Sequence, residues 1–313
     1  MKNKVLCPEP DSFSQRGLDY VREFTQLTAK KISQAEFEKI APEFDAVLIR
    51  FNTKVGPNIF GKKSNIRAVI SPTTGLDHID MRSAKLNGVK VFHLRGEKRF
   101  LKGVAATAEL SIGLMLSIMR KIPQSFSAVK SGIWETGPFR GNEVAGKTLG
   151  VIGCGRLGSK VSKTAVALGM KVVAFDPYIK RFPSGVKAMK TQRDLLNQAD
   201  IVSLHVPLSD ETRHLLNDFE ISQMKKGVII INTSRGAIIK TGALIKGLIS
   251  EQVSAAALDV LEDEHLVNED SHPLIEYASK YDNLIITPHL GGATFESVEK
   301  TDLFILKKYF KGI

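Results

Sequence analysis

The sequence predicts an α/β protein made of two doubly wound parallel sheets. Short apolar runs rich in β-branched residues alternate with helix-like segments along almost the whole chain, which is typical of βαβ units. A glycine-rich turn at residues 153–158 stands between one such run and a helical pattern. The chain has 313 residues, and a single hydrophobic core seldom grows beyond roughly 250 to 300 residues. We therefore expect two domains.

The strand-like runs form two series. Those of the first series occupy residues 4–7, 46–49, 68–70 and 89–92. Those of the second series occupy residues 148–152, 171–175, 201–204, 228–231, 255–258 and 284–286. Six strands in series match one doubly wound sheet.

Two helical segments mark the ends of the second series. Residues 103–121 carry Leu110, Leu114 and Ile118 at helical spacing and predict a long helix that joins the two domains. Residues 293–310 predict a final helix. The pattern thus places one domain boundary near residue 100.

Composition excludes several classes of protein. Hydrophobic residues at 43% and charged residues at 25% are ordinary globular values and exclude a disordered, collagen-like or disulfide-stapled chain. With 44 Lys and Arg against 33 Asp and Glu, the net charge is +11, so the surface attracts anions. The charges are spread along the chain, which favours a solvated surface and an anionic metabolite over a nucleic-acid partner.

The sequence also predicts a location. No window approaches the ~18 consecutive apolar residues of a membrane span, and the N-terminus has no signal-peptide pattern. The two cysteines, Cys7 and Cys154, form no framework, so a reducing cytoplasm is expected. Because no apolar span is present, we also expect no membrane partner. The His and Cys spacings match no metal motif, so we expect no metal.

The glycine-rich turn predicts a nucleotide site. In Gly153-Cys154-Gly155-Arg156-Leu157-Gly158, the first glycine makes a tight turn, the second admits a pyrophosphate, and the third lets helix and strand touch. Asp176 follows Gly158 by 18 residues, close to the ~20-residue offset at which a carboxylate meets ribose hydroxyls. A carboxylate there repels a 2′-phosphate, so NAD is favoured over NADP. A methyl-donor or flavin nucleotide is the alternative for such a turn.

Chemistry-bearing residues follow three further strand-like runs. They lie in residues 232–237 with Arg235, residues 257–264 with Asp259 and Glu264, and residues 287–292 with His289. Because the carboxyl ends of parallel strands line one edge of a sheet, these side chains can converge.

These three segments, together with residues 50–55, 74–80 and 205–208, occur in the order typical of one protein family. The chain resembles the D-isomer-specific 2-hydroxyacid dehydrogenase family, and its phosphoglycerate dehydrogenase branch most closely. The resemblance covers nearly the whole chain. It implies a Rossmann NAD-binding domain (residues 101–290) inserted in a flavodoxin-like substrate-binding domain (residues 1–100 plus 291–313). It further implies a homodimer and a short form without a C-terminal regulatory domain.

The resemblance also implies binding residues. Those for NAD are Gly153, Gly155, Arg156, Leu157, Gly158, Asp176, His205, Val206, Pro207, Thr212, Thr233, Ser234, Asp259 and Gly291. Those for the substrate are Arg50, Thr74 and Gly75.

By the same resemblance, His289 is the proton donor and acceptor, Glu264 is its carboxylate partner, and Arg235 binds the substrate carboxylate and polarises the reacting oxygen. When a hydride leaves or joins C2 of a 2-hydroxy or 2-keto acid, the oxygen on C2 loses or gains a proton, and an imidazole is suited to accept or donate it. A guanidinium fork matches a carboxylate. Glu262 and Asp263 are chemically eligible in place of Glu264. The family's offset of five residues after Asp259 selects Glu264.

The substrate is the open part of this interpretation. The branch implies 3-phosphoglycerate, with Arg50 meeting the phosphate. Unphosphorylated 2-keto acids such as glyoxylate or hydroxypyruvate are the alternative, and a non-catalytic NAD-sensing corepressor is a third hypothesis. Residues 93–102 and 265–282, with His265 where the branch usually has proline, depart from the branch's pattern.

Overall fold

The computed structural model describes residues 2–61, 63–264, 267 and 271–311. The chain divides into two compact units, Met1–Val104 with Ala293–Ile313, and Ala105–Gly292. Each unit contains one sheet, of five and of seven strands, and we call them the five-stranded unit and the seven-stranded unit. The predicted fold class, α/β with two parallel sheets, is confirmed.

The five-stranded unit contains β1 (Lys4–Cys7), β2 (Gln26–Ala29), β3 (Ala46–Leu48), β4 (Ala68–Ile70) and β5 (Lys90–Phe92). Its helices are α1 (Gln15–Phe24), α2 (Gln34–Ile40), α3 (Met81–Leu86), α4 (Lys98–Leu101) and α12 (Phe295–Lys311). All neighbouring strands are parallel, in the flavodoxin-like order β2-β1-β3-β4-β5.

The central strands β1, β3 and β4 are short and, apart from the exposed Lys4, apolar, because helices cover both faces. Leu6 and Val47 pack on one side, and Val5 and Leu48 pack on the other, all of them buried. The last helix, α12, packs against α1 and inserts Ile305 into the second of these clusters. Helix α12 therefore packs against the five-stranded sheet.

The seven-stranded unit contains β6 (Thr148–Ile152), β7 (Lys171–Phe175), β8 (Val186–Ala188), β9 (Ile201–Leu204), β10 (Val228–Asn232), β11 (Val253–Leu258) and β12 (Leu284–Ile286). Its helices are α5 (Ala106–Met119), α6 (Ile122–Lys130), α7 (Arg156–Ala167), α8 (Gln192–Leu196), α9 (Asp218–Ser222), α10 (Thr241–Ile249) and α11 (Pro273–Ala278). The parallel strands are ordered β8-β7-β6-β9-β10-β11-β12, which is the Rossmann order with one further strand. The order reverses between β6 and β9, and ligands of such sheets bind at that point, beyond the carboxyl ends.

Among the described residues, only Lys98–Met119 is long and apolar enough to cross a membrane by length and composition. In the structure this stretch contains two helices, α4 and α5. Helix α5 buries Leu114, Met115 and Ile118 in the core of the seven-stranded unit, against Val151 of β6. Its burial is that of a core helix.

The sequence pattern misses two strands, β2 and β8. Both lie at sheet edges, and neither contains a buried residue, so neither shows a continuous apolar run. The other ten strands coincide with predicted runs, and six of them, β1, β4, β6, β7, β9 and β12, have the predicted bounds. The unusual His265 lies outside the described residues.

Candidate active site

The glycine-rich turn joins β6 to α7 at the reversal point of the seven-stranded sheet. Gly153 has a φ of +85°, and a Cβ there would lie 2.7 Å from the carbonyl oxygen of His205. A Cβ on Gly158 would lie 2.0 Å from the carbonyl oxygen of Gly153. Gly155, at the N-cap of α7, has open space where its Cβ would be. Packing therefore requires glycine at positions 153 and 158, whereas Gly155 leaves the backbone accessible to a ligand.

The residues around this turn fit a bound dinucleotide. Arg156 and Leu157 form the start of α7, whose N–H groups face the ligand position expected for a pyrophosphate. His205 and Val206 border Gly153. The His205 Nε2 lies 2.8 Å from the Ser203 hydroxyl, and its buried Nδ1 has no hydrogen-bond partner among the described residues. Burial lowers the pKa of His205 to about 4, so the ring is neutral near physiological pH.

Asp176 follows β7 and lies beside the same turn. Its Oδ2 accepts a hydrogen bond from the N–H of Cys154 at 2.9 Å, and its Oδ1 accepts one from the N–H of Tyr178 at 2.9 Å. These two bonds fix the carboxylate next to the glycine-rich turn. The ribose contact predicted for Asp176 is compatible with this position.

Three hydroxyls predicted to bind the cofactor form hydrogen bonds within the protein. Thr212 donates to the carbonyl of Pro207 at 2.6 Å and closes the loop after β9. The buried Thr233 shares a hydrogen bond of 2.7 Å with Ser111 of α5, and Ser234 donates to the last carbonyl of β9 at 2.5 Å. These bonds shape the loops after β9 and β10. Contact of the three residues with the cofactor stays a prediction.

Asp259 follows β11 and holds the loop after β12. Its Oδ1 accepts from the Thr287 hydroxyl at 2.6 Å and from the N–H of Leu290 at 2.7 Å, and its Oδ2 accepts from the N–H of Gly291 at 2.8 Å. Burial raises the pKa of the Asp259 carboxyl, and these hydrogen bonds oppose the rise. Asp259 therefore anchors the chain on both sides of His289. The sequence pattern did not predict this role, and contact with nicotinamide stays a prediction.

His289 and Glu264, predicted as a pair, are in contact. The His289 Nδ1 lies 2.7 Å from the Glu264 Oε1, with 22% and 37% of the two side chains exposed. His289 has a φ of +55°, which is uncommon and strained for a residue other than glycine. Its N–H donates to the carbonyl of Asp259 at 3.0 Å, so the anchored loop enforces this conformation. Because Glu264 engages Nδ1, proton exchange with a substrate would take place at Nε2.

Glu262, the alternative partner for His289, contacts other residues. Its Oε1 lies 2.6 Å from the Nε2 of His214, and its Oε2 accepts from the hydroxyl of Thr241 at 3.0 Å and from the N–H of Thr241 at 3.3 Å. It thereby caps α10 from outside the helix. Sequence reasoning missed this cluster because its members are separated by 48 and 21 residues and follow no motif. The structure brings Glu264, and not Glu262, to His289.

Arg235 follows β10 in a turn made by Gly236. A Cβ on Gly236 would lie 1.9 Å from the carbonyl carbon of Leu261, so only glycine lets this turn pack against the chain that leads to Glu264. The amide of Asn232 donates to the carbonyl of Arg235 at 2.9 Å and holds the turn at the end of its strand. The structure thus brings the Arg235 turn and the Glu264 loop into backbone contact.

In the five-stranded unit, Arg50 follows β3 and is buried in an ion pair. Its Nη2 lies 2.6 Å from the Oδ1 of Asp302 and 3.2 Å from the hydroxyl of Thr301, both on α12. The guanidinium carbon lies 5.2 Å from the ring centroid of Phe13. Arg50 is 9% exposed and Asp302 is 0% exposed. The guanidinium predicted to meet a phosphate is therefore already paired with a buried carboxylate.

Thr74 and Gly75, the other predicted substrate residues, lie in the loop after β4. The hydroxyl of Thr73 donates to the carbonyl of Gly75 at 2.8 Å and also contacts the Ser71 hydroxyl at 2.8 Å, which shapes the loop. The N–H groups of Thr74 and Gly75 donate to no other residue that the structure describes. Binding of a substrate anion by these two N–H groups stays a prediction.

Within residues 2–61, 63–264, 267 and 271–311, no group of three or more His, Cys, Asp or Glu side chains could hold a metal ion. Cys7 and Cys154 are free and buried. Burial raises the pKa of the Cys7 thiol to about 12.

Known proteins match the chain along most of its length. A sequence profile of the NAD binding domain of D-isomer specific 2-hydroxyacid dehydrogenases matches residues 112–291. The hydroxypyruvate reductase of Thermotoga maritima is 37% identical over 290 residues, which cover 93% of this chain and 92% of that protein. The D-3-phosphoglycerate dehydrogenase of Bacillus subtilis is 38% identical over 294 residues, which cover 92% of this chain and 53% of that protein. The chain therefore spans about half the length of that dehydrogenase.

A solved structure shows the same architecture. The D-lactate dehydrogenase of Aquifex aeolicus, complexed with NAD and lactic acid, superposes with a TM-score of 0.83 at 27% identity, and the match covers 99% of this chain and 96% of that one.

Proposed function

The chain belongs to the D-isomer specific 2-hydroxyacid dehydrogenase family, and on that premise we propose that it interconverts a small, unphosphorylated 2-keto acid and the corresponding D-2-hydroxy acid with NAD as cofactor. The observation that carries this proposal is the 2.7 Å contact between His289 and Glu264 at the carboxyl edge of the seven-stranded sheet. An imidazole held by a carboxylate is suited to move the proton that this reaction requires.

When bound, the cofactor supplies the hydride for reduction or accepts it in oxidation. His289 gives a proton from Nε2 to the oxygen on C2 during reduction and takes it back during oxidation. Glu264 orients the ring and stabilises its protonated form. Arg235 binds the substrate carboxylate through its planar fork and polarises the keto oxygen, which selects 2-keto acids over neutral ketones.

The surroundings of Arg50 support an unphosphorylated substrate. A guanidinium that is paired with a buried carboxylate is a poor receptor for a phosphate dianion, because binding the dianion would leave the charge of Asp302 without its partner. The relative matched along 92% of its own length is named a hydroxypyruvate reductase.

Initial rates of NADH oxidation test the proposal directly. We expect glyoxylate and hydroxypyruvate to be reduced with a kcat/KM at least about tenfold higher than that of 3-phosphohydroxypyruvate, which corresponds to about 1.4 kcal/mol of transition-state binding. Preference for the phosphorylated acid would favour the second candidate, 3-phosphoglycerate dehydrogenase activity. Similarity to dehydrogenases of that name is the observation that supports it. NADH binding without turnover of any acid would instead support the corepressor.

Arg235→Lys should lower kcat/KM for the best 2-keto acid by about 10- to 100-fold, since one ammonium cannot reproduce two parallel hydrogen bonds to a carboxylate. The loss should appear in both KM and kcat because the same group binds the carboxylate and polarises the keto oxygen. Arg181→Lys, at an exposed position of the same unit, is the control. Unaltered kinetics in Arg235→Lys would remove Arg235 from the reaction.

The Asp176 carboxylate should set the choice of cofactor. Asp176→Ala should lower the ratio of kcat/KM for NADH to that for NADPH by about tenfold or more, because it removes a ribose contact and a charge that repels the 2′-phosphate. Tyr178→Phe is the control, since it removes only an exposed hydrogen bond of 2.6 Å to Glu211. Equal use of both cofactors by the unmodified protein would contradict the role of Asp176.

We also propose the homodimer that the resemblance implies. Helix α6 and the residues after it expose Ile122, Phe126, Val129 and Trp134, and an apolar surface of this kind is suited to be covered by a second copy of the chain.

A further inference from the structure

The loop that carries Thr74 and Gly75 is flanked by two arginine-bearing loops. In the five-stranded sheet, β4 pairs with β3 on one side and with β5 on the other, all three in parallel. Their carboxyl ends therefore lie next to each other. The chain after β3 carries Arg50, and the chain after β5 carries Arg95.

The two arginines differ in what they contact. Arg50 is buried and paired with Asp302. Arg95 is exposed, and its Nε donates to the carbonyl of Thr74 at 3.2 Å. The Nη groups of Arg95 form no hydrogen bond or ion pair with any residue in the described part of the chain. Of the five N–H donors of this side chain, four thus remain for a ligand beside Thr74.

The charges around Arg95 favour an anion. The only carboxylate in residues 93–102 is that of Glu97, and it is paired with Lys308 of α12 at 2.5 Å. Burial lowers the pKa of His93, and the positive charges of Arg95 and Lys308 lower it further. The pairing of Glu97 leaves the charge of Arg95 uncompensated within its own segment.

We propose that Arg95 is a specificity-determining residue that binds a second, distal carboxylate of the substrate, so that short 2-keto dicarboxylic acids form the preferred class. The N–H groups of Thr74 and Gly75 hold the carboxylate next to the keto carbon, and the Arg95 guanidinium, fixed against the carbonyl of Thr74, holds the other. The two outer nitrogens of a guanidinium match the two oxygens of one carboxylate. This inference rests on the proposed function and names its substrate class.

A matched pair of substrates tests it. Oxaloacetate and 2-oxobutyrate have the same chain length and differ in a distal carboxylate against a methyl group. The unmodified protein should prefer oxaloacetate in kcat/KM. Arg95→Ala should lower the ratio of the two kcat/KM values by about 10- to 100-fold, through the KM for oxaloacetate. Arg95→Lys should restore part of the ratio, because it keeps the charge without the fork. Arg99→Ala, at an exposed position of the same segment, is the control.

The outcomes separate this inference from the proposed function. If the unmodified protein reduces both acids without preferring oxaloacetate, or if Arg95→Ala lowers both values equally, the role of Arg95 is wrong and the proposed function stands. If no 2-keto acid is reduced, both are wrong. A further pair of substrates, 3-phosphohydroxypyruvate and hydroxypyruvate, tests whether Arg95 binds a distal phosphate instead of a carboxylate. A loss confined to the phosphorylated acid in Arg95→Ala would overturn the carboxylate assignment.

Discussion

A His289→Ala variant should turn over 2-keto acids at least about 100-fold more slowly than the unmodified protein, because general acid–base catalysis by a positioned side chain typically contributes 10² to 10⁴. NADH binding should be nearly unchanged, since the glycine-rich turn and Asp176 follow other strands, β6 and β7. Steady-state kcat with hydroxypyruvate and a fluorescence titration with NADH measure the two effects. Normal turnover in this variant would show that another group moves the proton.

Two neighbouring carboxylates provide a matched control. Glu264→Gln removes the charge that stabilises the protonated His289 and should lower kcat by about tenfold or more. Glu262→Gln is an equal change two residues away, but Glu262 faces His214 and Thr241. The kcat of Glu262→Gln should stay within about threefold of the unmodified value, since the Glu262 side chain contacts His214 and Thr241 and not His289. Equal losses in the two variants would place Glu264 in the scaffold.

The fold was largely predictable because most strands of a parallel sheet are buried on both faces. Such strands are nearly continuous apolar runs, as in residues 148–152 and 201–204, and their bounds could be read from the sequence. The edge strands β2 and β8 could not, because one face of each meets solvent and interrupts the run. The signal for a strand was therefore the apolar run that burial on both faces requires, rather than the strand propensity of single residues.

The contact between His289 and Glu264 was predictable from the sequence, whereas the supporting contacts of the candidate site were not. His289 and Glu264 follow two adjacent strands of one sheet, and the topology alone brings their loops together. The partner of Arg50 lies 252 residues away on the last helix, and an Asp in a helix with charged neighbours resembles a solvent-facing residue. No local pattern encodes a contact between such distant segments. The sequence therefore could not identify Asp302 as the partner of Arg50.

Removing the carboxylate of Asp302 should lower the free energy of unfolding of the five-stranded unit by about 3 to 5 kcal/mol, the usual cost of leaving one partner of a buried ion pair without the other. Arg50 contacts the Oδ1 of Asp302, and the Oδ2 accepts hydrogen bonds from the N–H and the hydroxyl of Ser14, each at 2.8 Å. Asp302→Ala would leave a buried guanidinium and the cap of α1 without their acceptor. Amide hydrogen exchange in β1 and β3 and urea unfolding measure the loss.

Glu299→Ala is the matched control, because Glu299 lies on the same helix and pairs with Arg16 at the same 2.6 Å, with 72% of the Arg16 and 37% of the Glu299 side chain exposed. Exposed pairs contribute about 0 to 1 kcal/mol. Burial raises the pKa of the Asp302 carboxyl while Arg50 opposes the rise, so desolvation offsets much of the attraction in this pair. Arg50→Met combined with Asp302→Asn removes both charges, keeps an acceptor for Ser14, and should recover much of the stability. If Asp302→Ala costs no more than Glu299→Ala, the pair does not hold Arg50 in place, and its guanidinium becomes available to a substrate phosphate.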